Sequence, residues 1–128
     1  MKLLLDTHTF LWFIEGNPNL SDAARNLIEE QGNQRFLNVT SLWEMSIKVS
    51  INRLKLGITL TELVKCQVYG NAIELLEIQP EHLDELAKLP FYHKDPFDRL
   101  IIAQSLAENM PVLTGDSAFE SYPVTVLW

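Results

Sequence analysis

Asp6, Glu44, Asp98 and Asp116 lie far apart in a chain of 128 residues, yet each falls beside the end of a predicted strand or at the start of a predicted helix. Asp6 closes the apolar run Leu3 to Leu5, and Asp116 follows the run Val112 to Thr114. Glu44 is read in the first turn of the helix after the second strand, and Asp98 in the first turn of the helix that leads into the fourth. Carboxylates gathered within several ångströms raise one another's pKa and destabilise a fold unless a cation neutralises them. A donor set of Asp and Glu oxygens selects Mg²⁺ or Mn²⁺, which are held by few carboxylates and retain waters. Such an ion can activate water and offset the charge that grows during phosphodiester hydrolysis. No Gly-x-Ser-x-Gly elbow, P-loop, Gly-x-Gly-x-x-Gly or His-Glu-x-x-His helix competes for the chemistry.

Each acid also has a plain structural reading. Asp6 and Asp95 suit N-caps, Ser41-x-x-Glu44 fits a capping box, Asp98 suits the positive end of a helix, and Asp116 suits a turn. Four independent caps have no reason to converge, so the elements that carry them decide. The pattern predicts strands at Leu3 to Leu5, Phe36 to Val39, Ile73 to Ile78, Val112 to Thr114 and Val124 to Leu127. Helices are expected after the first strand, from Ser21, from Thr40-Ser41, over Leu60 to Val68, from Pro80 and from Asp95-Pro96. Strands alternating with helices indicate an α/β fold whose mostly parallel sheet of about five strands is flanked by helices. Such sheets place ligand sites at the carboxyl ends of their strands, and a crossover helix begins on that same edge. All four acids are thereby expected on one edge.

The length suits a single domain, residues 1–128, with one sizeable core. Apolar residues make up 47% and charged residues 21%, so a disordered or fibrous chain is excluded. Cys66 is the only cysteine, which excludes a disulfide framework and is read as a small buried hydrophobe. No apolar run approaches the ~20 residues of a membrane span, and the N-terminal run is too short for a secretory signal, so a cytoplasmic address without membrane contact is expected. His82 is read as a solvated helix residue, while His8 and His93, next to site segments, receive no role.

Leu-Leu-Leu-Asp6-Thr7-His8, Ser41-Leu42-Trp43-Glu44, Asp95-Pro96-Phe97-Asp98-Arg99 and Leu113-Thr114-Gly115-Asp116 together resemble the four motifs of PIN-domain ribonucleases, in particular VapC-type toxins of bacterial toxin-antitoxin pairs. The resemblance spans the chain and keeps motif order. It implies a PIN-like three-layer fold and an endoribonuclease dependent on Mg²⁺ or Mn²⁺, leaving 5′-phosphate and 3′-hydroxyl ends. Carried over, Asp6, Glu44, Asp98 and Asp116 match the metal-binding acids, Thr114 matches a small hydroxyl residue that orients a carboxylate or water, and Asp95 is a supporting choice. The family also implies a homodimer, a cognate antitoxin and a larger assembly of the two. Trp12, Phe13, Trp43 and Trp128 are many large aromatics for a small core, although core packing is expected for each.

Two alternatives stand beside this reading. One is a catalytically silent module of the same fold that binds RNA or protein. The other is a phosphatase with Asp6 as nucleophile, because Asp6-Thr7-His8-Thr9 resembles the haloacid-dehalogenase start; His8 occupies the place of its general acid. The net charge of −7 speaks against general affinity for nucleic acid. Residues 31–60 run the other way, with Arg35, Lys48, Arg53 and Lys55 against Glu44 alone. Lys48, Arg53 and Lys55 are therefore expected to form a local phosphate-attracting patch.

Overall fold

The computed structural model describes residues 1–128. Its centre is a five-stranded parallel sheet in the order β3-β2-β1-β4-β5, formed by β1 (Lys2–Leu5), β2 (Gln34–Asn38), β3 (Ile73–Leu76), β4 (Val112–Leu113) and β5 (Val126–Leu127). Buried on both faces, β1 is a continuous apolar run, as a central parallel strand requires. Leu3 and Leu5 pack with Phe10, Ile28, Leu37, Met45 and Leu63 on one face, while Leu4 packs with Ile101, Ile102, Val112 and Phe119 on the other. Two cores separated by one sheet give three layers. No helix is long and apolar enough to cross a membrane.

Helices α1 (Thr7–Glu15), α2 (Asp22–Glu29), α3 (Val39–Ser50), α4 (Leu60–Leu63), α5 (Pro80–Lys88) and α6 (Pro96–Glu108) connect the strands. Their starts follow local chemistry. The Asp6 carboxylate accepts from Thr9 N–H, the Ser21 hydroxyl from Ala24 N–H and the Asp95 carboxylate from Phe97 and Asp98 N–H, each satisfying donors with no intrahelical partner. Pro96 fills the first position of α6, where its missing N–H costs nothing. That helix is buried from Arg99 to Ser105 because it runs beneath the sheet from one edge to the other.

The structure corrects several expectations. The cap of α3 is Asn38, not Thr40-Ser41: its Oδ1 accepts from the Thr40 N–H at 2.6 Å and from the Thr40 hydroxyl at 2.7 Å. The helix therefore starts earlier, Glu44 sits in its second turn, and its carboxylate turns to Thr7 and Lys48 instead of forming a capping box with Ser41. After α4 the chain widens into a π turn over Val64–Val68, then a 3₁₀ turn, and ends at Ala72 in the left-handed region (φ 54°) rather than at Gly70. The wider turn keeps Leu63 and Val68 against the core and leaves Cys66 exposed. His82 is 1% exposed, not solvated, because its Nδ1 accepts from Gln79 N–H while Glu108 and Gln104 of α6 close over the ring. Trp43 and Trp128 stay at the surface, since α3 turns Ser41, Glu44 and Met45 inward and Trp43 lies on the opposite face.

Candidate metal centre

Strand order reverses between β1 and β4, where β1 leads to α1 on one side and β4 follows from α6 on the other. A crevice at the carboxyl ends of these strands is where a parallel sheet binds ligands. Asp6 leaves β1 and Asp116 follows β4, so both reach that crevice from adjacent strands. Helix α6 runs back under the sheet from this edge, which brings Asp98 in its first turn to the same place.

Thr114 ties the two strand ends together. Its buried hydroxyl donates to Asp6 Oδ2 at 2.5 Å and accepts from Asp116 N–H at 3.1 Å. Asp6 Oδ1 accepts from Thr9 N–H at 2.7 Å, and the Thr9 hydroxyl donates to the Leu113 carbonyl at 2.8 Å. Asp6 is thus fixed through both oxygens and is 5% exposed. An ionised carboxylate offers about four lone-pair directions, so two hydrogen bonds leave it able to accept further. Asp116 uses Oδ1 to cap the 3₁₀ turn Ser117–Ser121 and is otherwise exposed. Capping and site roles coincide in these residues; they do not compete.

Asp98 is the most perturbed group. Burial pushes its carboxyl from 3.8 up to about 6, the neighbouring charges of Asp95 and Asp6 add to the rise, and His93 opposes it. His93 Nε2 lies 2.7 Å from Asp98 Oδ2. The backbone N–H of His93 donates to the Tyr122 hydroxyl at 3.0 Å, which itself donates to the Pro90 carbonyl at 2.7 Å. Arg99 reinforces this loop from below, donating to the carbonyls of Pro90 and Leu89 and stacking 4.0 Å from the Phe91 ring centroid. The imidazole is held at the carboxylates by a built loop.

One ligand atom each from His93, Asp98 and Asp116 lies within 4.8 Å of the other two. These three side chains would be the ones to share a cation at this edge. The two carboxylates suit Mg²⁺ or Mn²⁺ with retained waters, whereas an imidazole donor suits a transition-metal ion better than Mg²⁺. Sequence reasoning gave His93 no role; its only signal was its position five residues before Asp98.

Glu44 stands apart from that cluster. It is 7% exposed, accepts from the Thr7 hydroxyl at 2.7 Å through Oε1 and pairs with Lys48 Nζ at 3.0 Å through Oε2. Because Thr7 has a single hydroxyl proton and gives it to Glu44, the Ser41 hydroxyl donates to Thr7 at 2.9 Å. Thr7 follows Asp6 directly, so Glu44 joins the site through α1. Asp95 is occupied as the α6 cap. Lys48 is engaged by Glu44, and Arg53 and Lys55 are exposed beyond the far end of α3, with about 9 Å of helix between Glu44 and Ser50.

A cavity of about 230 Å³ opens at this edge, lined by Asp6, His8, Thr9, Trp12, Gly115 and Asp116. The fold has known counterparts. A chain of VapBC2 from Rickettsia felis, crystallised bound to a DNA fragment from its promoter, superposes with a TM-score of 0.72 at 16% identity, covering 99% of this chain and 98% of that one. VapBC-1 from nontypeable Haemophilus influenzae gives 0.69 at 11% identity over 99% and 97% of the two chains. FitAcB from Neisseria gonorrhoeae gives 0.64 at 18% identity over 98% and 96%. No curated protein sequence matches the chain. The PIN domain family model matches residues 3–124, nearly the whole length, and the chain belongs to the PIN domain family.

Proposed function

We propose that the chain is a divalent-metal-dependent endoribonuclease and the toxin of a toxin-antitoxin pair. The observation that carries this reading is the meeting of Asp98, Asp116 and His93 beside a rigidly bonded Asp6 at the strand-order reversal. PIN domains are nucleases, and the structural neighbours are VapBC and FitAB complexes.

Asp98, Asp116 and His93 would hold the cation, with Asp6 completing its surroundings. A bound Mg²⁺ or Mn²⁺ supplies Lewis acidity and offsets charge on the phosphoryl oxygens. The residues do the positioning. Thr114 and Thr9 lock the Asp6 carboxylate so that no reorganisation is needed when charge develops. His93 Nε2 stands 2.7 Å from Asp98 Oδ2 and gives that buried carboxyl a polar partner. Glu44, bonded to the Thr7 hydroxyl and paired with Lys48, steadies the start of α1 beside Asp6.

A partner surface is expected on α3, where Trp43, Ile47 and Ile51 are exposed along one face and Trp43 packs edge-on to Phe97 at 5.4 Å. Interfaces are enriched in such aromatics. Incubating the purified protein with labelled RNA should give internal cuts bearing 5′-phosphates in Mn²⁺ or Mg²⁺ and none in EDTA. Metal binding by calorimetry without cleavage of any nucleic acid would instead support a silent binding module.

A further inference from the structure

The cavity beside the acids has an aromatic wall that the metal centre does not use. His8 and Trp12 are four residues apart and share a face of α1, with ring centroids 5.9 Å apart, and Trp128 follows at 6.0 Å from Trp12. His8 is exposed, Trp12 half-buried and Trp128 38% exposed, so the row presents ring surface to solvent. Trp128 is seated by Gly115: a Cβ there would stand 2.8 Å and 2.9 Å from two of its indole carbons. Gly115 links Thr114 and Asp116, so the indole rests against the turn that carries one of the acids.

We infer that this aromatic row, His8, Trp12 and Trp128, is a stacking subsite for an unpaired nucleobase next to the scissile phosphate. The inference rests on the nuclease reading. Three observations favour a base over other occupants. His8 and Trp12 line one cavity with Asp6 and Asp116, and Trp128 extends the row from Trp12, so an occupant of the cavity lies against two of the acids. No Lys or Arg lines that cavity and the chain carries a net charge of −7, so phosphate attraction is poor and an uncharged attraction has to hold the strand. At about 230 Å³ the cavity is below the ~300–1,000 Å³ of pockets for drug-sized ligands, which suits a single base. A base pair within a duplex offers no free face to stack.

Binding of a short, unstructured fluorescein-labelled RNA, with Ca²⁺ replacing Mg²⁺, tests the inference. Trp12→Leu and Trp128→Leu should each weaken binding roughly tenfold, as loss of one base–aromatic stack does. The loss should be equal at low and high salt, unlike the loss of a phosphate contact. Wild-type indole fluorescence should be quenched by the RNA, and neither an abasic strand nor the matching duplex should quench it. Affinities within about twofold of wild type for both variants would overturn the subsite. If Trp12→Leu does not fold, Trp128→Leu and the abasic strand on wild-type protein decide. Quenching by a basic peptide but not by RNA would assign the row to a protein partner and overturn it too. RNA quenching without cleavage in Mg²⁺ or Mn²⁺ would defeat the nuclease reading alone, whereas cleavage untouched by both Trp variants would defeat the subsite alone.

Discussion

A single buried carboxyl sets how this site responds to pH. Asp98 titrates at about 6 in the fold against an ordinary 3.8, so the folded state holds its proton more tightly than the unfolded chain. Its contribution to stability is therefore greatest below pH 4 and is lost as pH rises to 6. The proposed cation would reverse the sign, because it would have to displace that proton and so would bind better above pH 6 than below. Mn²⁺ should raise the melting temperature clearly at pH 7.5 and little at pH 5; an equal rise at both would remove Asp98 from the ligand set. That Asp6, Asp98 and Asp116 reach one edge was legible in the sequence, because strand ends and the start of a crossover helix meet there, whereas Glu44 was expected with them and stands apart. The role of His93 was not, because its placement depends on Tyr122, 29 positions away, and on the Arg99-braced loop.

Elements hold the site through bonds between parts that are distant in sequence. Asn38 ends β2, caps α3 with Oδ1 and donates from Nδ2 to Gln104 of α6 at 2.7 Å, so one buried amide fixes the two helices that carry Glu44 and Asp98. Asn38→Ala removes the cap and leaves the Gln104 carbonyl without this donor, at a cost of roughly 1–3 kcal/mol. A lower denaturant midpoint with unchanged slope checks it, and no shift would show that the network is dispensable. The alternation of strands and helices and most caps could be read locally, since each depends on a few adjacent residues. The start of α3 could not, because Asn38, Thr40 and Ser41 are all good caps and tertiary contact with Gln104 selects the first. The burial of His82 and the exposure of Cys66 were hidden likewise: one depends on α6 closing over the ring, the other on a π turn that shifts the helical face.

Charge is the property of the whole molecule that most constrains a nucleic-acid enzyme. A net −7 gives weak general attraction for RNA, and Lys48 is committed to Glu44, so Arg53 and Lys55 are the exposed cations of the basic segment. Changing both to Ala should reduce the slope of log affinity against log salt by about 1.4, the value for two single-strand phosphate contacts; an unchanged slope would place RNA elsewhere. The proposed chemistry falls to the acids at the reversal of strand order. The most direct measurement is the RNA cleavage rate of Asp98→Asn in Mn²⁺, with its fold verified by thermal melting. The substitution keeps volume and removes a ligand charge, and the rate should fall roughly 10²-fold or more, as for loss of other transition-state stabilisers. Full cleavage by a folded Asp98→Asn protein would contradict the proposed metal centre.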